Sequence, residues 1–448
     1  MELTRLLLRL SVPRAFVFTV PGSTAIRLTV ERALRERGWA EAMSPADADI
    51  LVVCGDGQVE MNAMADRVWD QIPIPRSRIR IVTLEAVPAQ LDEAKSALLD
   101  LDALRMDAAT REQEQAVAVE SASGATNMSA AGHDHAGMGG SAGGHGHGAD
   151  HDRAAVTMPV GGHDHGAMGI PGAGQEQAAM TMPAGGQDHD ARDMSGGEHD
   201  QGSDHGEMGM VGGLAMAGRG DDRDGLKLDQ LHVALGPVLP DWPAGLVLRL
   251  VLQGDIAQSS ELEVMGENGG GSFWMRAAAD ATVEARFGAA AAADSLQRLL
   301  AVAGWQSAAL TGRWLRDELL SSEPDAPSHP RFVRWIRRVR RSRALRWSTN
   351  GLGIVDASEP HEELRGDATA RWIRWTDEIL AVAARPSGGS IALGSSATTG
   401  RGARARAAIS LLPSLVTGQD LSSVRLIVAS LDPDIEALPS PAHLGRHG

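Results

Sequence analysis

The chain has 448 residues, 43% of them apolar, which is enough for two or three domains with separate cores. Its formal charge is −16, but residues 127–217 hold 12 Asp/Glu against two Arg, so the remainder is nearly balanced and gives no support for a nucleic-acid partner. A single cysteine, Cys54, excludes any intrachain disulfide and argues for no oxidising compartment.

Taken in order, Met1 to Val20 is apolar but broken by Arg5, Arg9, Pro13 and Arg14. Its apolar runs fall well short of the ~20 residues a bilayer span needs, and the arginines interrupt any signal-peptide core. A cytoplasmic location, peripheral to a membrane through partner subunits, is the expectation. Residues 15–104 then alternate strand and helix. Ala15–Val20 ends in the turn Pro21-Gly22-Ser23, and Ile26, Val30, Ala33 and Leu34 mark a helix over Thr24–Arg37. Ile50–Cys54 is apolar throughout, as a strand covered on both faces should be. Met61, Met64, Ala65, Val68 and Trp69 give a second helix, Arg78–Thr83 a strand nearer an edge, and Pro88–Leu104 a third helix. This order predicts a small parallel sheet with right-handed crossovers. The Gly22-Ser23-Thr24 turn could also cradle a phosphate on backbone N–H groups, though it lacks a P-loop lysine.

From 109 to 224 periodicity disappears, and Gly, Ala, Ser, His, Asp and Met dominate. Such a stretch buries too little apolar area to offset its ordering entropy, so a disordered linker is predicted. Ten of the 15 His and ten of the 17 Met lie between 128 and 216. His133/His135, His145/His147 and His163/His165 form His-x-His pairs, Met138 and Met168 follow two of them, and His189 closes a repeat. Alternate residues of an extended chain face one way, so each pair can offer two nitrogens to one ion. Imidazole suits Cu, Ni and Zn, and thioethers favour Cu(I). Labile Cu or Ni is the expected ion; Zn is less favoured because no closed four-ligand spacing occurs. A linker of drifting composition is the competing explanation, and both stay open.

Order resumes near Leu226. Leu246, Leu248, Leu250 and Leu252 alternate along a strand, Gly254-Asp255 makes a turn, and Ser260–Met265 pairs back. Helices are predicted at about 289–303, 307–320, 330–346, 367–384 and 405–430. In the arginine-rich stretch Arg331–Trp347, Phe332, Trp335, Ile336 and Val339 share the spacing of a core-facing stripe. The fold class expected is an α/β parallel-sheet domain (1–108), a His/Met/Gly-rich linker (109–224) and an α+β domain (225–448) with a small antiparallel sheet and a helical body.

Two segments carry a family resemblance. Ser44-Pro45-Ala46-Asp47-Ala48-Asp49-Ile50-Leu51-Val52-Val53-Cys54-Gly55 is followed by Val68-Trp69-Asp70-Gln71-Ile72-Pro73-Ile74-Pro75-Arg76. The pair resembles the cluster-bearing small subunit of respiratory NADH-quinone oxidoreductase (complex I) and of membrane-bound [NiFe] hydrogenases. Leu235-Gly236-Pro237-Val238-Leu239-Pro240 with Gly245–Leu252 and Gly254-Asp255, then Ser430-Leu431-Asp432-Pro433, is similar to the large subunit of the same assemblies. Arg343–Trp347 and Gly351–Val355 fit its central helix and turn more loosely.

The resemblance implies a [4Fe–4S] cluster on cysteines, but the loop Pro21–Arg27 and the residues Leu84-Glu85-Ala86 after the third strand contain no sulfur. One thiol cannot ligate a cubane, and Cys54 is expected to be a buried apolar thiol. It further implies a quinone held by a His and a Tyr. Leu239 stands at the His position and the chain has no Tyr; His232 is the only nearby imidazole. Paired CxxC motifs for nickel and iron are absent. Neither Fe–S nor flavin is expected. The reading is a non-catalytic, degenerate peripheral subunit of a complex-I-like or hydrogenase-like membrane assembly, with membrane subunits and metal ions as partners. Two alternatives remain: a working oxidoreductase subunit that borrows cofactor ligands from a neighbouring chain, and a Cu/Ni-buffering protein.

Overall fold

A computed structural model describes residues 11–113, 210–211, 214–215, 219–221, 227–266, 271–275, 281–321, 329–383 and 400–438. They belong to one compact unit, Met1–Val119 together with Met208–Gly448. The expected disordered linker, 109–224, falls mostly outside the described residues; those of it that are described correct its bounds, since 109–113 are helical and 210–211, 214–215 and 219–221 are strands.

The first half is the expected parallel sheet. Strands β1 (Arg14–Thr19), β2 (Ala40–Glu41), β3 (Ile50–Cys54) and β4 (Ser77–Ile81) lie in the order β2-β1-β3-β4. Central β3 is buried at every position, and outer β4 alternates buried Ser77, Ile79 and Ile81 with half-buried Arg78 and Arg80. Helices α1 (Thr24–Glu36) and α2 (Val59–Gln71) form the crossovers, and α3 (Val87–Ala97) follows the last strand. A further helix, α4, runs over 101–113. The two-residue β2 is too short to show a period of two, and the sequence pattern does not reveal it.

In the second half, β5 (Met210–Val211) and β6 (Leu214–Ala215) pair with each other. Strands β7 (Arg219–Asp221), β8 (Lys227–Leu235), β9 (Leu246–Gln253) and β10 (Ile256–Val264) make an antiparallel sheet in the order β10-β9-β8-β7. The predicted β9–β10 hairpin is present, with a bulge between Ala257 and Ser259. The helical body comprises α5 (Ala281–Val302), α6 (Gln306–Leu320), α7 (His329–Arg340), α8 (Arg343–Thr349), α9 (Ala368–Ala383), α10 (Arg401–Val416) and α11 (Leu421–Leu431).

Three helices expected to be continuous are each broken. The one predicted over Pro88–Leu104 stops at Ala97 and restarts as α4, where Asp100 accepts from the Asp102 and Ala103 amides at 3.2 and 3.1 Å. Between α7 and α8, the Ser342 hydroxyl accepts a hydrogen bond from the Leu345 amide at 3.2 Å and starts a new helix. Between α10 and α11, Gly418 takes φ +80°, and Asp420 then caps α11 through the Ser422 and Ser423 amides at 2.9 and 3.0 Å. Caps of this kind satisfy amide donors that a helix start leaves free. The apolar spacing runs through all three breaks, which is why periodicity alone joins them.

The halves share their cores. Val247 and Met265 of the second half pack with Phe16, Phe18, Leu51 and Met61 of the first. Leu28 of α1 joins the cluster formed by the helical body. Among the described residues, no helix is long and apolar enough to cross a membrane.

Candidate functional site

A partly open cavity of about 530 Å³ lies at the seam between the halves. One face of α1 supplies Thr24, Arg27, Glu31 and Arg35 to its wall. Their spacing of three and four residues puts them on one side of the helix, while Val30, Ala33 and Leu34 on another side pack on the sheet. Trp39, Trp242, Trp274 and Trp314 add aromatic surface, and the 237–244 loop adds Leu239 and Asp241. The chain turns into that loop at Gly236, whose φ is +84°. A Cβ there would sit 2.1 Å from the Leu246 carbonyl oxygen, so both shape and space demand glycine. Gly245, also at positive φ, lets Pro21 of the first half approach: a Cβ would meet Pro21 at 2.5 Å.

Charged side chains cross the seam as a connected network. The Arg316 guanidinium is completely buried and donates to Glu31 and Asp294 at 2.7 Å each and to Asp317 at 2.9 Å. Arg27 reaches Glu31 at 2.6 Å and Asp294 at 2.8 Å. Arg35 pairs with Asp317, Arg313 with Glu41 and Asp241, and Arg298 with Asp432 at 2.8 Å. Burial alone would raise the Glu31 carboxyl, but Arg27, Arg316 and Arg313 override it and hold it well below the usual range. Burial opposes ionisation of Asp294 too, and Arg27, Arg298 and Arg316 likewise hold it low. Glu41 and Asp241 go the other way: burial raises both, and their shared partner Arg313 only partly compensates. Asp241 and Asp432 hold positive φ values of 57° and 42°, conformations that Asp adopts more readily than most residues, and each keeps an ion pair there.

The strand-to-helix turn suggested as a phosphate cradle is filled by the chain itself. Oε1 of Glu436, a buried residue, accepts from the Gly22 amide at 2.9 Å, the Thr24 amide at 3.0 Å and the Thr24 hydroxyl at 2.8 Å. Three donors that could hold an external anion are thereby engaged. This is also the loop where the resemblance would require cluster cysteines. Cys54 lies at the far end of β3, completely buried, and burial pushes its thiol far up, away from thiolate formation. The donor set does not fit a [4Fe–4S] cluster, and no chemistry through one follows.

Within the second half, Arg371 ties the Gly351–Gly353 turn to Ser430. It donates to the carbonyls of Gly353 at 3.0 Å and Gly366 at 2.7 Å and to the Ser430 hydroxyl at 2.8 Å. With carbonyl and hydroxyl partners in place of carboxylates, its guanidinium is pushed down to about 10, by burial first and by Arg374 second. Arg35, Arg298 and Arg401 also line the cavity, and Nε and Nη1 of Arg35 and Nε of the other two are buried without an acceptor.

Of the residues named from sequence, Leu239 lines the cavity, whereas His232 lies exposed on β8. The metal ligands expected on the linker are not brought to this site. His133, His135, His145, His147, His163, His165 and His189, together with Met138 and Met168, all lie outside the described residues. Among the described residues, no group of three or more His, Cys, Asp or Glu side chains is arranged to hold a metal ion. Phe332, Trp335, Ile336 and Val339 are all buried, as their spacing required. Sequence reasoning missed the network residues. Arg27, Glu31 and Arg35 lie off the apolar stripe that marked their helix, and the three- and four-residue spacing of opposite charges was the signal that could have found them. No family model matches this sequence, and no curated protein is significantly similar to it.

Proposed function

We propose that this chain is a non-catalytic peripheral subunit of a complex-I-like or hydrogenase-like membrane oxidoreductase assembly, carrying a labile Cu- or Ni-binding linker. The observation that supports it best is the Glu436 carboxylate seated on Gly22 and Thr24. Segments resembling the small and large subunits of such assemblies are joined in one chain, and the loop that would carry cluster ligands is used as a fastening point between them. An unreactive thiol in β3 agrees with a role in docking rather than in electron transfer. The location that follows is the cytoplasmic face of a membrane, with attachment through partner subunits.

Purification from gently solubilised membranes is the test. Co-elution with antiporter-like membrane subunits, without iron on this chain, is the expected result; isolation only as a free monomer would refute the assignment. A second reading, a working redox subunit with ligands supplied by a neighbour, draws support from the 530 Å³ cavity. Iron assay and EPR of the reduced native assembly separate the two. For the linker, deletion of residues 125–218 should abolish Cu(II) or Ni(II) uptake in equilibrium titration, while undiminished stoichiometry would place the ions elsewhere.

A further inference from the structure

On the opposite side of α7 from its buried stripe, Arg331, Arg334, Arg337 and Arg338 are exposed, as is Arg341 just past the helix end. At 100° per residue the four helical positions fall within about a third of the helix circumference. Residues 331–347 contain eight arginines and no carboxylate. Arg331 has a distant contact with Glu318 at 3.6 Å, and Arg338 lies over the Trp305 ring at 5.1 Å. Among the described residues, no carboxylate pairs with Arg334, Arg337, Arg341 or Arg343. On α8, Trp347 is 87% exposed, and Ile354 in the loop that follows is 65% exposed.

We infer that this face docks directly on an anionic lipid surface, with guanidinium groups on headgroup phosphates and Trp347 at the headgroup level. Guanidinium forks match phosphate oxygens in a two-point fashion, and polybasic faces are drawn to anionic leaflets. An indole with an apolar body and a polar N–H belongs at the interface between hydrocarbon and water. A protein partner would need an apolar centre to its contact, and α7–α8 offers one tryptophan amid cations. Single-stranded nucleic acid is read by successive aromatic platforms, and a single exposed ring is not such a series. The inference is independent of the proposed assembly, since the isolated chain should show it.

The full chain should float with phosphatidylcholine vesicles containing about a third phosphatidylglycerol, and not with phosphatidylcholine alone. Binding should weaken as salt rises. Arg334→Glu/Arg337→Glu/Arg341→Glu should lower the partition coefficient by at least about tenfold, with far-UV CD unchanged. Trp347→Ala should bind several-fold less tightly and lose the quenching that brominated phosphatidylglycerol produces in the parent chain; this readout stands even if the triple variant fails to fold. Equal flotation with neutral vesicles would overturn the inference, as would undiminished binding by a folded triple variant. Retention on polyglutamate resin with no flotation would also overturn it, assigning the face to an acidic protein.

Discussion

Arginine serves opposite purposes on two sides of this molecule. At the seam, Arg316 is wholly buried and meets three carboxylates, and Arg27, Arg35, Arg298 and Arg313 are each matched to acids from other elements. On α7 and at its C-terminal end, five arginines face outward beside a buried apolar stripe. A buried charge is tolerated only when paired and hydrogen-bonded, so the seam tolerates few changes. An exposed guanidinium keeps its hydration and stays available to a partner. The seam arginines hold the halves in one register; those on α7 can be altered with little harm to the fold.

Four measurements break or sharpen that contrast. Arg316→Ala strands Glu31, Asp294 and Asp317 in the interior and should cost about 3–5 kcal/mol in urea unfolding; a loss below about 1 kcal/mol would mean water or another cation enters easily. Acid should act next. The folded-state pKa values of Glu31 and Asp294 lie below the unfolded carboxylate range of about 4. Their stabilisation is fully present above that range and is lost as pH falls through it and below. Glu41 and Asp241, raised by burial, have the opposite sign: their contribution is present below the unfolded value and lost as pH rises through the folded one. The urea midpoint should therefore fall below about pH 4, with a shallower slope in Arg316→Ala; equal slopes would disprove the coupling.

A smaller effect is expected at the fastening point. Glu436→Ala leaves the Gly22 and Thr24 amides without their acceptor and should cost roughly 1–3 kcal/mol, with faster hydrogen exchange at those two amides. Glu436→Gln, which keeps an acceptor oxygen, should recover much of the protection. Smallest of all, Arg334→Gln should move the thermal midpoint by no more than about 1 °C. A larger shift would show that the outer face contributes to folding.

Much of the architecture was readable from periodicity. Ile50–Cys54 announced a doubly covered strand, and the stripe Phe332, Trp335, Ile336, Val339 announced the buried side of α7. Three helix breaks were not, because Asp100, Ser342 and Asp420 cap new helices without interrupting the apolar spacing. The site was barely legible. Leu239 and the Pro21–Arg27 loop stood out for what they lack. The partner that fills the loop, Glu436, lies more than 400 residues away, a separation no local pattern encodes.

The linear order of residues by itself determined which segments pack: a run of apolar side chains must leave water wherever it folds, so the elements and their buried faces follow locally. It also settled the coordination arithmetic, since a chain with one thiol and no phenol cannot gain others by folding. Only the tertiary structure decided the fate of the charged residues. Arg27, Glu31 and Arg35 on α1 carry the same local chemistry as the arginines of α7, and a helix face rich in charge is compatible with either water or a matched wall. Which one it meets depends on what the distant half of the chain places opposite, because Coulomb interactions are set by distance and burial rather than by sequence spacing.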